Sequence, residues 1–311
     1  MMLLRLGSGL GLFVGSLAIG WWLHRRQLLT EARASRLMRW LVIGPSPLTL
    51  CLAFWKMNLR SLEPWLLPFL GLLIACSTLV PSLLYAKRAK LSDAQTGSFL
   101  TCALFSNLGY LGAFTAFAMF GEAAYALCML YLVFFTPCFY TLGFWIASRY
   151  SGGAKALSGS AVAMDDELRL FPFLGMLAGI IQNVARVTRP LPLEWLNHAL
   201  IPLNTGLYLI AIGSQLTFAS PRPWLEPCWA MSGIKFLYTP CVAWLLVSLF
   251  RIHGLARFVV LLEASTPVAV SPLMFPLLFR LDRRLANALW LFTTLASIPW
   301  IALILPLLTR L

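Results

Sequence analysis

Residues 106–114, SNLGYLGAF, put Asn107, Gly109, Tyr110 and Gly112 in the middle of an apolar run. Residues 263–272, EASTPVAVSP, do the same with Glu263, Thr266, Pro267, Ser271 and Pro272. The Asn107 amide can both donate and accept, so it can bind a carboxylate or replace hydrogen bonds that a helix has lost, and the hydroxyls of Thr266 and Ser271 can do the same. Glycine frees the backbone, and proline removes a donor and clashes with the preceding turn. A helix reopened after such a break offers unpaired N–H groups and a positive dipole end, which suits an anion. Two charges lie in neighbouring apolar runs, Lys235 and Glu263. They can pair with each other across a cavity, or reach the interface as snorkelling side chains. Glu263 is the candidate for proton or sodium coupling.

Other chemistries lack their residues. The seven cysteines are scattered through apolar stretches without a C-x-x-C spacing, and His24, His198 and His253 are far apart in sequence. No metal site and no disulfide framework is expected. Hydrolysis inside a membrane needs a nucleophile with its base, paired aspartates, or a metal with His and carboxylate ligands. Asp165 and Asp166 lie outside the apolar runs, and there is no H-E-x-x-H. No catalytic residue and no cofactor is therefore expected. The stretch SGGAKALSGS lacks the glycine and lysine spacing that cradles nucleotide phosphates.

The elements that must hold these residues follow from composition. Of 311 residues, 60% are hydrophobic and 11% are charged. Soluble domains have roughly 45–50% and about 25%. Mean hydropathy is +0.81. A membrane helix needs about 20 mostly apolar residues, and ten runs qualify: 6–23, 37–55, 64–86, 97–120, 123–147, 169–185, 195–218, 226–250, 256–279 and 285–309. The first is too long for a signal peptide and lacks a cleavage site. The net charge of +13 comes from basic residues between the runs. This is the positive-inside pattern of a membrane protein, and no nucleic-acid partner is expected.

Loop charge orients the bundle. One side carries 15 basic residues, including Arg25, Arg26, Lys87, Arg88, Arg149 and Arg283, and the other carries 8, including Lys56, Arg186 and Arg189. The richer side is cytoplasmic by this rule, and both termini lie outside the cytoplasm. The polar connection 148–168 divides the chain into five spans at 1–147 and five at 169–311. An odd number per half inserts the halves in opposite orientation, as in inverted repeats of secondary transporters. The expected fold is all-α, with ten transmembrane helices in two inverted five-helix repeats. Spans 4 and 9 are its interrupted, crossed pair. Broken backbone at membrane depth is tolerated where it lines a cavity or is buried in protein. Gly and Pro also serve simple close packing in such helices.

Several stretches carry a family resemblance over nearly the whole length. They are IGWWLHRRQLLTEARASRLMRWLVIGPSPL, NLGYLGAFTAFAMFGEAAYALCMLY, IKFLYTP, and the region from EASTPVAVSP to LASIP. Together they resemble the auxin efflux carrier family of plant auxin exporters and bacterial organic-acid carriers. The resemblance implies crossed, unwound spans 4 and 9 at the substrate site. It also implies a transport unit of spans 3–5 and 8–10, and a scaffold of spans 1, 2, 6 and 7 that forms a homodimer. The family usually has a proline seven positions after the span-4 asparagine. Here that residue is Phe114, leaving Gly109 and Gly112 to open the helix.

The expected function is a permease for a small organic anion, working by alternating access in the cytoplasmic membrane. The short central loop fits a bacterial inner membrane. The substrate-binding candidates are Asn107, Gly109, Tyr110, Gly112, Thr266, Pro267, Ser271 and Pro272. Proton coupling, sodium coupling and uniport all stay open, and so does a transporter-derived sensor or non-transporting subunit.

Overall fold

The structure, a computed structural model, describes residues 2–59, 61–152, 170–215 and 222–309. The connection expected over 148–168 lies outside the described residues from 153 onward. The described residues are helical and contain no strand beyond an isolated bridge. The helices are α1 (Met2–Arg25), α2 (Glu31–Ile43), α3 (Pro45–Trp55), α4 (Glu63–Ser77), α5 (Leu79–Arg88) and α6 (Asp93–Leu104). Then come α7 (Ala113–Phe120), α8 (Glu122–Tyr131), α9 (Phe135–Cys138), α10 (Phe144–Arg149), α11 (Leu170–Val184) and α12 (Leu191–Gly213). The last five are α13 (Leu225–Gly233), α14 (Thr239–Leu249), α15 (Gly254–Glu263), α16 (Met274–Phe279) and α17 (Arg283–Leu308). Among the described residues, five helical stretches are long and apolar enough to cross a membrane: Glu31–Trp55, Glu63–Arg88, Glu122–Arg149, Arg222–Leu249 and Arg283–Leu308.

The chain divides into two compact units. Unit 1 comprises Met1–Leu62, Gly109–Met129 and Ser160–Leu216. Its helices approach through small residues. A Cβ on Gly175 would sit 2.2 Å from the Pro47 carbonyl oxygen, and one on Gly179 would sit 2.3 Å from that of Cys51. The spacing of four puts both glycines on one face, so α11 lies with its backbone directly on α3. At the end of α3 the carbonyls run out of helical donors. The Asn183 side chain supplies them, with Nδ2 at 3.1, 2.8 and 2.6 Å from the carbonyl oxygens of Phe54, Trp55 and Met57.

Unit 2 comprises Glu63–Leu108, Leu130–Gly159 and Thr217–Leu311. Ser92 starts α6 with a reciprocal capping box with Gln95, which satisfies two donors at the helix start. A proline widens one of its helices. Pro240 has no N–H to offer the preceding turn, and residues Ile234–Tyr238 form a π-turn before it. The Thr239 hydroxyl takes over, donating to Ile234 O at 2.8 Å and Lys235 O at 2.7 Å. The core of the unit includes Leu100, Leu104, Phe105, Phe139, Phe275 and Phe279. The Phe139 and Phe275 ring centroids are 4.5 Å apart, and Phe105 packs 5.3 Å from Phe139. Phe105 is the first residue after α6, so this aromatic packing anchors the point where that helix stops.

Candidate functional site

Helix α6 ends at Leu104, five residues before Gly109. Phe105 is extended, with φ −108° and ψ 119°. Residues 105–107 are non-helical, and the π-turn Leu108–Gly112 and α7 follow. The interruption therefore lies upstream of both glycines, which fall inside the π-turn. Phe114 is buried in α7 and does not decide whether the break exists.

The second interruption follows α15. Residues 264–270 leave the helix, and a 3-10 turn at Ser271–Leu273 begins the next helical stretch. The two non-helical stretches pair as a single antiparallel bridge between Ser106 and Val268. The Asn107 N–H donates to Pro267 O at 2.8 Å, and the Ala269 N–H donates to Phe105 O at 3.0 Å. The Val268 N–H reaches the Thr293 hydroxyl at 3.3 Å. Each break thus satisfies backbone groups that the other exposes, as buried backbone must.

The side chains around this bridge divide into those that repair the helix ends and those that face a cavity. The Ser265 hydroxyl donates to Leu261 O at 2.7 Å, and the Thr266 hydroxyl donates to Glu263 O at 2.7 Å. Thr266 is fully buried and replaces a lost helix bond. Asn107 is buried at the bridge. Ser271 opens the 3-10 turn, with Pro272 next to it and Pro267 at the bridge. Gly109, Tyr110 and Gly112 belong to unit 1, whereas Asn107, Thr266, Pro267, Ser271 and Pro272 belong to unit 2. The Tyr110 ring packs 5.5 Å from that of Tyr208.

Lys235 has 0% exposure. Its Nζ donates to Ala103 O at 2.6 Å and to the Ser106 hydroxyl at 2.8 Å. Ala103 O also accepts from the Thr78 hydroxyl at 3.0 Å. The carbonyls closing α6 carry the negative end of its dipole, so a buried ammonium there is electrostatically matched. Glu263, also at 0% exposure, lines a small apolar cavity of about 40 Å³ with Thr78, Ser106, Leu108, Tyr131 and Thr239. Asn107, Lys235 and Glu263 stand out in the sequence as polar groups in apolar runs, and all three are buried. Thr78, Ser106 and Thr293 do not stand out, because each meets a partner from another element. Among the described residues, no group of three or more His, Cys, Asp or Glu could hold a metal ion.

Comparison with known proteins places relatives around this arrangement. No family model matches the chain. It is 28% identical over 227 residues to "Uncharacterized transporter MJ1031" of Methanocaldococcus jannaschii, covering 69% of each chain. It is 25% identical over 284 residues to an "Uncharacterized transporter" of Methanothermobacter thermautotrophicus, covering 90% of this chain and 91% of the relative. The second alignment runs through both interrupted stretches and nearly the whole length, so the chain is similar to archaeal proteins named as transporters.

Proposed function

We propose that this chain is a secondary membrane carrier of a small organic anion, of the auxin efflux carrier type. The observation that carries the reading is the mutual pairing of two broken apolar helices beside a buried lysine and a buried glutamate. Unwound backbone at membrane depth has a high cost in hydrocarbon and is characteristic of transporter sites. The apolar helices and the two relatives named as transporters support a membrane carrier. On this reading the chain crosses the cytoplasmic membrane ten times as two inverted repeats, with spans 4 and 9 crossing at the paired breaks. The helical turns that restart after them, at Leu108 and Ser271, offer N–H groups to a carboxylate. Asn107 holds the crossing through its backbone and contacts the anion through its amide. Pro267 and Pro272 keep span 9 open. The carrier alternates access between the two membrane faces, and Glu263 is the group that a proton or sodium ion would address.

Ligand-induced stabilisation tests binding. A ligand that binds only the folded state stabilises it by RT ln(1 + [L]/Kd), or about 2.7 kcal/mol at a hundredfold excess over Kd. At least one member of a panel of mono- and dicarboxylates raises the Tm of the detergent-solubilised protein, and Asn107→Ala loses that rise while remaining folded. If no carboxylate shifts the Tm of the folded wild type, the anion assignment fails.

A further inference from the structure

Unit 1 holds buried polar groups that have no hydrogen-bond partner among the described residues. Asn197 has 0% exposure, and neither its Nδ2 nor its Oδ1 has a hydrogen-bond partner among the described residues. Asn204 is 6% exposed; its Nδ2 reaches the Ser46 hydroxyl at 3.2 Å, and its Oδ1 has no such partner. The Ser46 hydroxyl in turn lies 3.2 Å from the Tyr208 hydroxyl. Residues 197, 201, 204 and 208 follow one another by steps of four, three and four, so they share one face of α12. The face ends near a charged cluster. The buried Arg189 guanidinium lies 2.8 Å from Glu122 and 3.7 Å from Glu194, and Glu194 is also held by Lys56. The Oε1 of Glu122 is buried and likewise lacks a hydrogen-bond partner among the described residues. Gly121, beside Glu122, faces His198, the neighbour of Asn197.

A buried amide left dry is costly, and more so in a protein surrounded by hydrocarbon. The orphaned atoms include both donors and acceptors. Water satisfies both at once, and polar interior sites with several unmet partners are where internal water is held. We propose that the face of α12 bearing Asn197, Asn204 and Tyr208 is a water-filled path inside unit 1, entered at the Glu122–Arg189–Glu194 cluster. From Glu194 to Tyr208 the helix rises about 21 Å at 1.5 Å per residue. That is about two-thirds of a hydrocarbon core of roughly 30 Å. The path brings bulk water and its protons to mid-depth along the polar side of α12.

Thiol accessibility tests the path without requiring transport. Asn197→Cys, Asn204→Cys and Leu203→Cys are each treated in membranes with 2-aminoethyl methanethiosulfonate, and peptide mapping reads the introduced cysteine. The reaction needs an ionised thiol, which forms a mixed disulfide and expels methanesulfinate, so it needs local water. Leu203 is 57% exposed on a different face of α12, about 100° round from Asn204, and serves as the comparison for a surface that the carrier reading turns toward lipid. Residues 197 and 204 label at least tenfold faster than residue 203. Absent labelling at either asparagine position, or equal labelling at all three, overturns the path. Should the variants not fold, hydroxyl-radical footprinting of the wild type decides: Tyr208 oxidises faster than the buried Tyr125, and equal rates contradict the proposal.

Discussion

Lys235 is a charge that local sequence places in an apolar run, and only the tertiary structure shows what it does there. Its ammonium closes the C-terminal end of α6 through Ala103 O and bonds the Ser106 hydroxyl. Lys235→Met leaves those acceptors short of a donor, a loss of about 1–3 kcal/mol for buried groups, read as a lower Tm in detergent. Lys235→Arg does not rescue it, because a wider fork must enter a site with no exposure. Thr266 separates two roles that the sequence leaves open. Its hydroxyl donates to Glu263 O, so Thr266→Val costs about 1 kcal/mol of stability and leaves carboxylate binding intact, as measured by the ligand-induced Tm rise. Asn107 was legible because an amide is conspicuous among apolar side chains. Thr78 and Thr293 were not, because each meets its partner across 25 residues of chain. Asn197 and Asn204 were overlooked because helical spacing alone does not say whether an amide finds a partner.

At the scale of elements, the sequence marks 106–114 and 263–272 as interruptions of apolar runs. The non-helical residues there are 105–107 and 264–270, and α6 stops at Leu104, upstream of Gly109 and Gly112. The stop is set by pairing with residues 264–270 and by the Lys235 cap, which are contacts between segments rather than local propensity. Pro267 is the corresponding device in the second break. Pro267→Ala restores an N–H and lets α15 lengthen, so Tm holds or rises while the carboxylate-induced Tm shift is lost. Close helix packing makes a different demand. Gly179→Leu drives a side chain against the Cys51 backbone carbonyl, which cannot rotate away. Overpacking of this kind costs about 1–3 kcal/mol or more, visible as a lower Tm and a loss of monodisperse protein in size-exclusion chromatography. The start of α12 adds a pH dependence. Its Glu194 carboxyl is held below the usual carboxylate range by the hydrogen bond from Lys56. A lowered folded-state pKa stabilises above the unfolded carboxylate pKa of about 4.3, and the contribution disappears as pH falls through the folded value. The Tm gap between wild type and Lys56→Met therefore narrows from pH 7 toward pH 3.

For the whole molecule, composition made the helical, membrane-embedded character legible before any residue was placed. Five described helices meet the length and hydropathy that a span requires. Helix α12 is not among them, and it carries Asn197 and Asn204, the unsatisfied amides on which the proposed water path rests. The orientation expected from loop charge places both termini outside the cytoplasm. An alkaline phosphatase fused after Leu311 is accordingly active in a bacterial host, and an inactive fusion reverses that orientation. Composition alone does not give a division into two units, since each gathers three separate stretches of chain; a grouping of spans 3–5 and 8–10 against spans 1, 2, 6 and 7 is what the family resemblance implies. On the proposed reading, the paired breaks at residues 105–107 and 264–270 form the site of a carboxylate carrier. Flux of labelled mono- and dicarboxylates into liposomes containing the purified protein, with and without proton, sodium and potential gradients, puts that reading to the test. Saturable uptake of at least one carboxylate, reduced at least tenfold in folded Asn107→Ala, is the predicted result. Folded, correctly inserted wild-type protein that carries none of them under any gradient would contradict it.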